Sequence, residues 1–325
     1  MATTWTSVAI AGCVCSLVGG VSGAHANADP QPKASQVEAA PAREVTPETN
    51  VSGVTVVGAK KDPVVNTASQ FVRSHLPEST FTQQYPRFHE AVCVKVQGLP
   101  PEFNAFITKR VSEVAASVSA PVAQSANCRP NVHIIFDQAP QELLTDIAKR
   151  KDILLGFYWN DRQLKEISTF KRSIGSWYVT RILDQSDVSR LEIHDPAAHL
   201  DPPHGRAGSR FGSDMRSDLM HTLIVADSKK LADAKIGAVA DYIAVLALAK
   251  WQGVEKCNAM PTILNLMADG CEADMIPETA TAADIGLLKG LYTAADRVSG
   301  SQQRMQIASR IEAELKKASE ENSPQ

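Results

Sequence analysis

Residues 236–250 constrain the fold of this chain more than any other segment. They read Ile-Gly-Ala-Val-Ala-Asp-Tyr-Ile-Ala-Val-Leu-Ala-Leu-Ala-Lys, with Asp241 as the only charged residue before Lys250. The run predicts a helix that is apolar on nearly every face, and such a helix must be buried on all sides. Because the run is shorter than the ~18 apolar residues that a membrane span requires, we expect it at the centre of a globular core.

The first 26 residues have the pattern of a secretory signal peptide. Residues 8–21 are mostly apolar, and Ala24-His25-Ala26 matches the small-x-small cleavage site. The segment before the apolar run has neither Lys nor Arg, which departs from the usual pattern, and Ile10-Ala11-Gly12-Cys13 offers a lipidation box as an alternative. We expect cleavage after Ala26 and a periplasmic or secreted protein without a later transmembrane segment.

Four cysteines remain after the predicted cleavage: Cys93, Cys128, Cys257 and Cys271. An even number in an exported chain predicts two disulfides, for which three pairings are possible. Our hypothesis is the most local pairing, Cys93–Cys128 with Cys257–Cys271, each bond contributing ~3–4 kcal/mol. Non-reducing peptide mapping that found a crossed pair would refute it. No two of these cysteines have the short spacing of a zinc knuckle.

Composition indicates one folded domain between two polar segments. Residues 27–50 are rich in Ala, Pro, Glu and Gln, which predicts a disordered linker. Residues 51–320 are expected to form a single α+β domain, followed by a disordered tail at residues 321–325. With 44% hydrophobic residues the chain can build a full core, and a net charge of −3 argues against a nucleic-acid partner.

Residues 91–137 predict a βαβ unit. Residues 91–97 alternate apolar and polar side chains, as a half-buried strand does, and residues 132–136 predict a second strand. The intervening helix opens at Pro100-Pro101. Its apolar residues share one face: Phe103, Phe106, Ile107, Val111, Val114 and Val118. A parallel, right-handed unit places Cys93 and Cys128 at the start of adjacent strands ~4.8 Å apart, within the reach of a disulfide.

The remaining elements surround the buried helix. Strands are predicted at residues 54–57, 173–183 and 219–226, helices at residues 66–75, 140–150 and 301–317, and a long polar loop at residues 186–216. Trp177 and Tyr178, in the strand at 173–183, are expected either to line a groove or to pack in the core. Thr281 and Asp284 form a capping box that begins another helix.

The helix after this capping box carries a recognisable pattern. Asp284-Ile285, then Leu288, then Leu291-Tyr292, is similar to the Asp-Ile…Leu-Tyr signature of the closing helix of matrixin-type zincins. The chain also resembles a group of exported bacterial proteins with a degraded form of this layout.

Element order extends the resemblance over residues 88–292, with Met260 or Met267 in the place of the family's Met-turn. The resemblance implies an α+β, zincin-like fold. In it a mixed β-sheet packs on a βα-crossover helix and a buried central helix, with C-terminal helices.

The family's metal site is missing from this sequence. Zincins hold zinc with His-Glu-x-x-His on the central helix, where the two His share one face and the Glu is the general base. Aligned on the apolar positions, Ala240 and Ala244 replace the two histidines and Asp241 replaces the glutamate. Alanine supplies no ligand, and a catalytic zinc needs three. The resemblance therefore implies a pseudoenzyme with neither catalytic residues nor a cofactor.

Asp241 has two interpretations. A carboxylate on a buried helix is costly unless it is paired or protonated. The structural interpretation, which we favour, is an ion pair with a Lys or Arg of another element, or a hydrogen bond from a loop amide. The functional interpretation is a polar contact in a vestigial cleft.

The histidines give one further candidate. His194, His199 and His204 are evenly spaced in the predicted loop with two aspartates among them, a donor set that suits a transition metal. We favour a solvated loop instead, because ordering flexible ligands costs entropy. His133 and His221 lie in strand patterns and are expected to be hydrogen-bonded sheet residues.

Two functional hypotheses follow. The leading one is an exported, non-catalytic zincin-like module that binds an unknown protein or envelope partner. The alternative is a periplasmic or secreted hydrolase that uses a relocated metal site at His194, His199 and His204. The sequence has no G-x-S-x-G elbow, phosphate-binding loop or G-x-G-x-x-G pattern that would favour another enzyme class.

Overall fold

The computed structural model describes residues 63–125, 127–183, 189–192 and 215–321, with the backbone alone at residues 63–66 and 189–192. All of them belong to one unit of the chain, Gly58–Gln325. The predicted signal peptide, linker and first strand lie outside the described residues, and so do residues 322–325. Glu321, which the sequence assigns to the tail, is instead the last residue of a helix.

The described ranges contain seven α-helices and five strands. The α-helices are α1 (Pro63–His75), α2 (Pro101–Ser117), α3 (Pro140–Arg150), α4 (Asp161–Ile167), α5 (Ile236–Leu248), α6 (Ala282–Thr293) and α7 (Gly300–Glu321). The strands are β1 (Val94–Gln97), β2 (Val132–Asp137), β3 (Ile174–Leu183), β4 (Ser189–Glu192) and β5 (Arg216–Asp227). The predicted α+β class is confirmed, and its zincin-like detail stays a prediction. Across these ranges, no helix is both long and apolar enough to span a bilayer.

These strands form one mixed sheet in the order β1-β2-β5-β3-β4. β1, β2 and β5 are parallel, with Val94 opposite Val132 and Val132 opposite Thr222. β3 is antiparallel to both β5 and β4. The predicted parallel βαβ unit is therefore confirmed as β1-α2-β2.

Both disulfides of our hypothesis are present. Cys93 precedes β1 and Cys128 precedes β2, and their Cα atoms lie 6.0 Å apart. Asn131 joins the same edge of the sheet, because its Oδ1 accepts a hydrogen bond of 2.8 Å from the Cys93 amide. The Cα atoms of Cys257 and Cys271 lie 5.0 Å apart and close a loop between α5 and α6.

The sheet separates two apolar clusters, because successive side chains of a strand point to opposite faces. On β5, Ile224 and Ala226 belong to the larger cluster, and Leu223 and Val225 belong to the smaller one. The larger cluster also contains α5, of which 11 of 13 residues are buried. The predicted burial of this helix is confirmed.

Two residues predicted on the buried face of α2 are exposed. Phe103 and Phe106 keep 41% and 43% of their surface, whereas Ile107 and Val111 are fully buried. Phe106 precedes Ile107 by one residue and so points about 100° away from the buried stripe. Phe103 lies on the stripe, but it lines a shallow groove of about 200 Å³ at the edge of the core.

Two short elements, β4 and α4, were not predicted from the sequence. β4 lies inside the predicted loop at residues 186–216, where it pairs with the end of β3. α4 has only seven residues, too few for a clear apolar period. Asn160 begins α4 by accepting a hydrogen bond of 3.1 Å from the Gln163 amide through its side-chain oxygen. β4 therefore depends on its pairing with β3, and α4 depends on the Asn160 cap. Neither has an apolar pattern that would predict it.

Candidate ligand-binding cleft

Asp241 is fully engaged in structural contacts. Its side chain is 2% exposed and forms a bidentate ion pair with Arg110 of α2. Arg110 Nε donates to Asp241 Oδ1, and Arg110 Nη2 donates to Asp241 Oδ2 at 3.0 Å. The amide of Ala280, just before α6, donates to the same oxygen at 2.8 Å. Hydrogen bonding to Asp241 raises the pKa of Arg110 above its usual value. Asp241 thus ties the first half of α5 to α2 and to the start of α6.

The centre of α5 has no metal-binding geometry. Ala240 and Ala244, aligned with the family's histidines, are fully buried and supply no donor. The described ranges also contain no group of three or more His, Cys, Asp or Glu side chains able to hold a metal. His194, His199 and His204 lie outside them, so the loop hypothesis stays a prediction.

His133 and His221 contact each other across β2 and β5. Nδ1 of His133 lies 2.7 Å from Nε2 of His221, so the expectation that both are hydrogen-bonded is confirmed. The other ring nitrogen of His221, Nδ1, is buried without a hydrogen-bond partner in the described ranges. Burial, reinforced by the charge of His133, lowers the pKa of His221 to about 4. Burial also lowers the pKa of His133.

The predicted capping box anchors a neighbouring loop. Asp284 accepts from the Thr281 amide at 2.8 Å while Thr281 Oγ1 accepts from the Asp284 amide at 3.2 Å. The same buried carboxylate accepts from the Thr262 hydroxyl at 2.5 Å and the Ile263 amide at 2.8 Å. Burial raises the pKa of Asp284 despite these bonds. The start of α6 is thereby fixed to the loop that contains Met260.

Four side chains from different elements cap the carboxyl end of α5. The last four carbonyls of a helix have no partner within it, and in a dry core they need another donor. Here the donors are Trp251 Nε1 to Val245 O at 2.8 Å, Tyr178 OH to Leu246 O at 3.1 Å, Thr222 Oγ1 to Ala247 O at 3.1 Å and Tyr292 OH to Leu248 O at 2.8 Å. Two of these donors, Trp251 and Tyr178, also line a cleft at this end of α5.

A cleft of about 430 Å³ opens at this end of α5. Its walls come from residues 169–172 and the start of β3, from the second half of α5, and from residues 250–255. This volume falls in the ~300–1,000 Å³ range of small-molecule sites. Trp177 and Tyr178 are buried and also line this cleft, so both interpretations of the pair are correct. Asp241 does not line it.

A glycine turn brings one wall of the cleft into place. Gly156 has φ of +81°, in the left-handed region that favours glycine. A Cβ atom there would lie 2.3 Å from the carbonyl oxygen of Tyr178. The turn can therefore pass directly over β3, and the next residue, Phe157, reaches the cleft.

Tyr242 is the unusual residue of the cleft. Its side chain is 1% exposed and lines the cleft, yet no group in the described part of the chain forms a hydrogen bond with its hydroxyl. Burial raises its pKa to about 12, and the positive charge of Arg172 opposes that rise. The hydroxyl is therefore a protonated donor that shares the cleft with the guanidinium of Arg172 and is available to a molecule there.

Basic side chains outnumber acidic ones around the cleft. Lys171, Arg172 and Lys250 line it together with one carboxylate, Glu255. Nη2 of Arg172 donates to Glu255 Oε2 at 2.7 Å, a bond that lowers the pKa of Glu255. The sequence patterns single out neither Arg172 nor Tyr242. The available signal was Tyr242 itself, the one aromatic residue of α5.

A second polar cluster has its charges paired. The carboxylate of Asp218, 1% exposed, is 2.8 Å from His89 Nδ1, 2.9 Å from Arg216 Nε and 3.0 Å from Arg181 Nη2. Burial opposes ionisation, but these partners prevail and hold the pKa of Asp218 below its usual range. His89 Nε2 also lies 2.9 Å from Asp296. This cluster cross-links β3, β5 and the chain after α6.

Comparisons with protein-family models, with curated proteins and with solved structures found no match to this chain.

Proposed function

We propose that this chain is an exported, non-catalytic binding module whose ligand site is the cleft at the carboxyl end of α5. The observation that carries this proposal is the Tyr242 hydroxyl, a donor that borders the cleft and bonds to no group in the described part of the chain. Such a donor can bond to an acceptor atom of a ligand, and a typical hydrogen bond contributes about 0.5–1.5 kcal/mol.

Export is supported by the two disulfides, Cys93–Cys128 and Cys257–Cys271. Disulfides persist in oxidising compartments such as the periplasm or the extracellular space. The signal-peptide pattern that ends at Ala26 favours the same compartment.

A binding role rather than catalysis is supported by the residues that line the cleft. They include neither histidine nor cysteine, and nucleophilic catalysis needs a nucleophile within reach of a base. The hydroxyl of Ser176 is 2.9 Å from the Tyr178 hydroxyl, which is not a base. Glu255 is held by Arg172. The matrixin resemblance stays a prediction, and the binding proposal does not depend on it.

Fragment screening by NMR tests the binding proposal. Indole ¹⁵N labelling of the full chain places reporters on Trp177 and Trp251, which both line the cleft. We expect a subset of a chemically diverse fragment set to shift these indole signals. We also expect no turnover of generic peptide and ester substrates.

Two results would refute the proposal. One is a complete absence of fragments that shift either indole signal. The other is chelator-sensitive hydrolysis that is lost when His194, His199 and His204 are replaced together, which would establish the relocated metal site instead.

A further inference from the structure

The charge of the cleft favours an anionic ligand, an inference that rests on the proposed binding function. Three basic side chains and one carboxylate line the cleft. Arg172 is about one-third exposed, so its guanidinium is accessible to a ligand. A cavity with excess positive charge and low-dielectric walls attracts anions and repels cations.

Arg172 keeps hydrogen-bonding capacity beyond its ion pair. A guanidinium carries five N–H donors, and the bond to Glu255 uses Nη2. No other hydrogen bond of Arg172 is formed within the described ranges. A planar two-oxygen acceptor can therefore bind Arg172, as carboxylates commonly bind guanidinium groups.

Tyr242 supplies a second donor to the same anion. Its hydroxyl bonds to no group of the described residues, and it lines the same cleft as Arg172. A phosphate has about two charges and three strong acceptor oxygens at neutral pH, and it suits a cleft with mainly apolar walls less well. A carboxylate has one charge and two oxygens and matches these donors better.

The other walls of the cleft are mainly apolar and aromatic. Phe157, Phe170, Trp177 and Trp251 line it together with Leu246. Both indole N–H groups are already bonded to main-chain carbonyls at 2.8 Å, Trp177 to Ile167 and Trp251 to Val245. These rings therefore offer apolar surface rather than hydrogen bonds to a ligand.

We propose that the cleft binds an organic carboxylate with a flat apolar body, whose oxygens accept hydrogen bonds from Arg172 and Tyr242. The apolar body lies against the aromatic side chains, and the carboxylate reaches the end of the cleft formed by α5 and residue 172. Such a group occurs on a free small acid or at the carboxyl terminus of a peptide that ends in an aromatic residue.

The test is a titration of the full chain with 3-phenylpropionate and with its neutral amide, 3-phenylpropionamide, followed by the indole signals of Trp177 and Trp251. We expect the acid to bind at least tenfold more tightly than the amide. An acetylated tripeptide ending in phenylalanine, with a free or an amidated terminus, separates the two sources. Tighter binding of the free-terminus tripeptide than of 3-phenylpropionate identifies a peptide end, and the reverse identifies a small acid.

Three variants locate the carboxylate. Tyr242→Phe removes a hydroxyl that has no partner among the described residues, so the variant should fold normally. It should bind the acid about five- to tenfold more weakly, as expected for the loss of ~1–1.4 kcal/mol. Arg172→Met should weaken acid binding at least tenfold and leave amide binding nearly unchanged. Arg162→Met, at an exposed position of α4 that does not line the cleft, is the control and should bind like the wild type.

The outcomes separate the ligand class from the binding function. If neutral or cationic fragments shift the cleft indoles while carboxylates do not, the carboxylate inference is wrong and the binding proposal stands. Equal binding of acid and amide, or unchanged acid binding in Tyr242→Phe and Arg172→Met, also overturns the inference. If nothing shifts the indoles, both proposals fail.

Discussion

Asp241 and Tyr242 are neighbours on one buried helix, but their side chains differ in how they are hydrogen-bonded. Asp241, the charged residue, receives two bonds from Arg110 and one from the Ala280 amide. Tyr242, the less polar residue, has a hydroxyl with no partner in the described part of the chain. Asp241 points toward α2 and the start of α6, whereas Tyr242 lines the cleft. A polar side chain that is surrounded by protein stabilises the fold through its hydrogen bonds. A polar side chain that borders a cavity can instead form a hydrogen bond with a ligand.

Removing the Arg110–Asp241 ion pair should have the largest effect on the free energy of unfolding. Arg110→Met leaves the buried carboxylate of Asp241 with the Ala280 amide but without its cation. Removing one partner of a buried ion pair costs ~3–5 kcal/mol, and we expect about 3–4 kcal/mol here because Arg110 is 37% exposed. Denaturant unfolding measures the loss.

Lys109→Met is the matched control for Arg110→Met. Lys109 is the preceding residue of α2, its side chain is 78% exposed, and its contact with Glu113 is 3.7 Å long. Exposed ion pairs contribute ~0–1 kcal/mol, so this variant should unfold like the wild type. Equal losses in both variants would mean that the Arg110–Asp241 pair does not hold α5 in place.

A second unpaired polar group extends the comparison to pH. Nδ1 of His221 has no partner among the described residues, and unlike Tyr242 it does not line the cleft. Because the folded-state pKa is about 4 and the unfolded value is ~6.5, the unfolded chain binds the proton first as pH falls. Stability should therefore decrease between pH 6.5 and 4, by about 3 kcal/mol for a shift of this size.

Unfolding free energies of the wild type and His221→Asn across pH 4–7 measure this dependence. The slope should be clearly smaller in the variant, whatever the absolute stability of the two proteins. Identical slopes would show that the His133–His221 contact does not exclude the proton.

The hydroxyls of Tyr178 and Tyr292 contrast with that of Tyr242, because each of them has a hydrogen-bond partner. Each caps a carbonyl at the end of α5, with distances of 3.1 Å and 2.8 Å. Tyr178→Phe and Tyr292→Phe should each lose about 1–2 kcal/mol in thermal or denaturant unfolding, since a buried carbonyl loses its donor. A negligible loss in both would mean that these carbonyls find other donors.

Tyr242→Phe should have the smallest effect on the free energy of unfolding of the unliganded protein. The substitution removes an oxygen that bonds to no group in the described ranges, so we expect a change within about 0.5 kcal/mol, in either direction. The Tyr178→Phe variant measured in parallel shows whether the method resolves the loss of one hydroxyl. A loss as large as that of Tyr178→Phe would reveal a structural partner for Tyr242.

Much of the fold was predictable because local patterns determine it. The run at residues 236–250 is apolar all round, and its burial follows directly. The Thr281–Asp284 capping box has a fixed spacing, and the Cys93–Cys128 bond follows from two parallel strands that start at one edge. β4 could not be predicted, because a short polar strand forms only through its partner, β3.

The cleft was less predictable, because it depends on how distant segments meet. Arg172 lies before β3 and Tyr242 lies 70 positions later in the chain, and neither belongs to a motif. Nothing in the local sequence distinguishes the Tyr242 hydroxyl from that of Tyr178, which caps a helix. Both line the cleft, and they differ because the Tyr178 hydroxyl reaches the Leu246 carbonyl, whereas the Tyr242 hydroxyl reaches no acceptor among the described residues.

The central claim is that the Tyr242 hydroxyl contributes to binding rather than to folding, and the unfolding free energy of the wild type and Tyr242→Phe, with and without 3-phenylpropionate, tests it most directly. We predict equal stability without the acid. At an acid concentration of 100 times the wild-type Kd, the wild type should gain about 2.7 kcal/mol, and the variant should gain about 1 kcal/mol less. A variant that is unstable without the acid, yet gains as much as the wild type with it, would contradict the account.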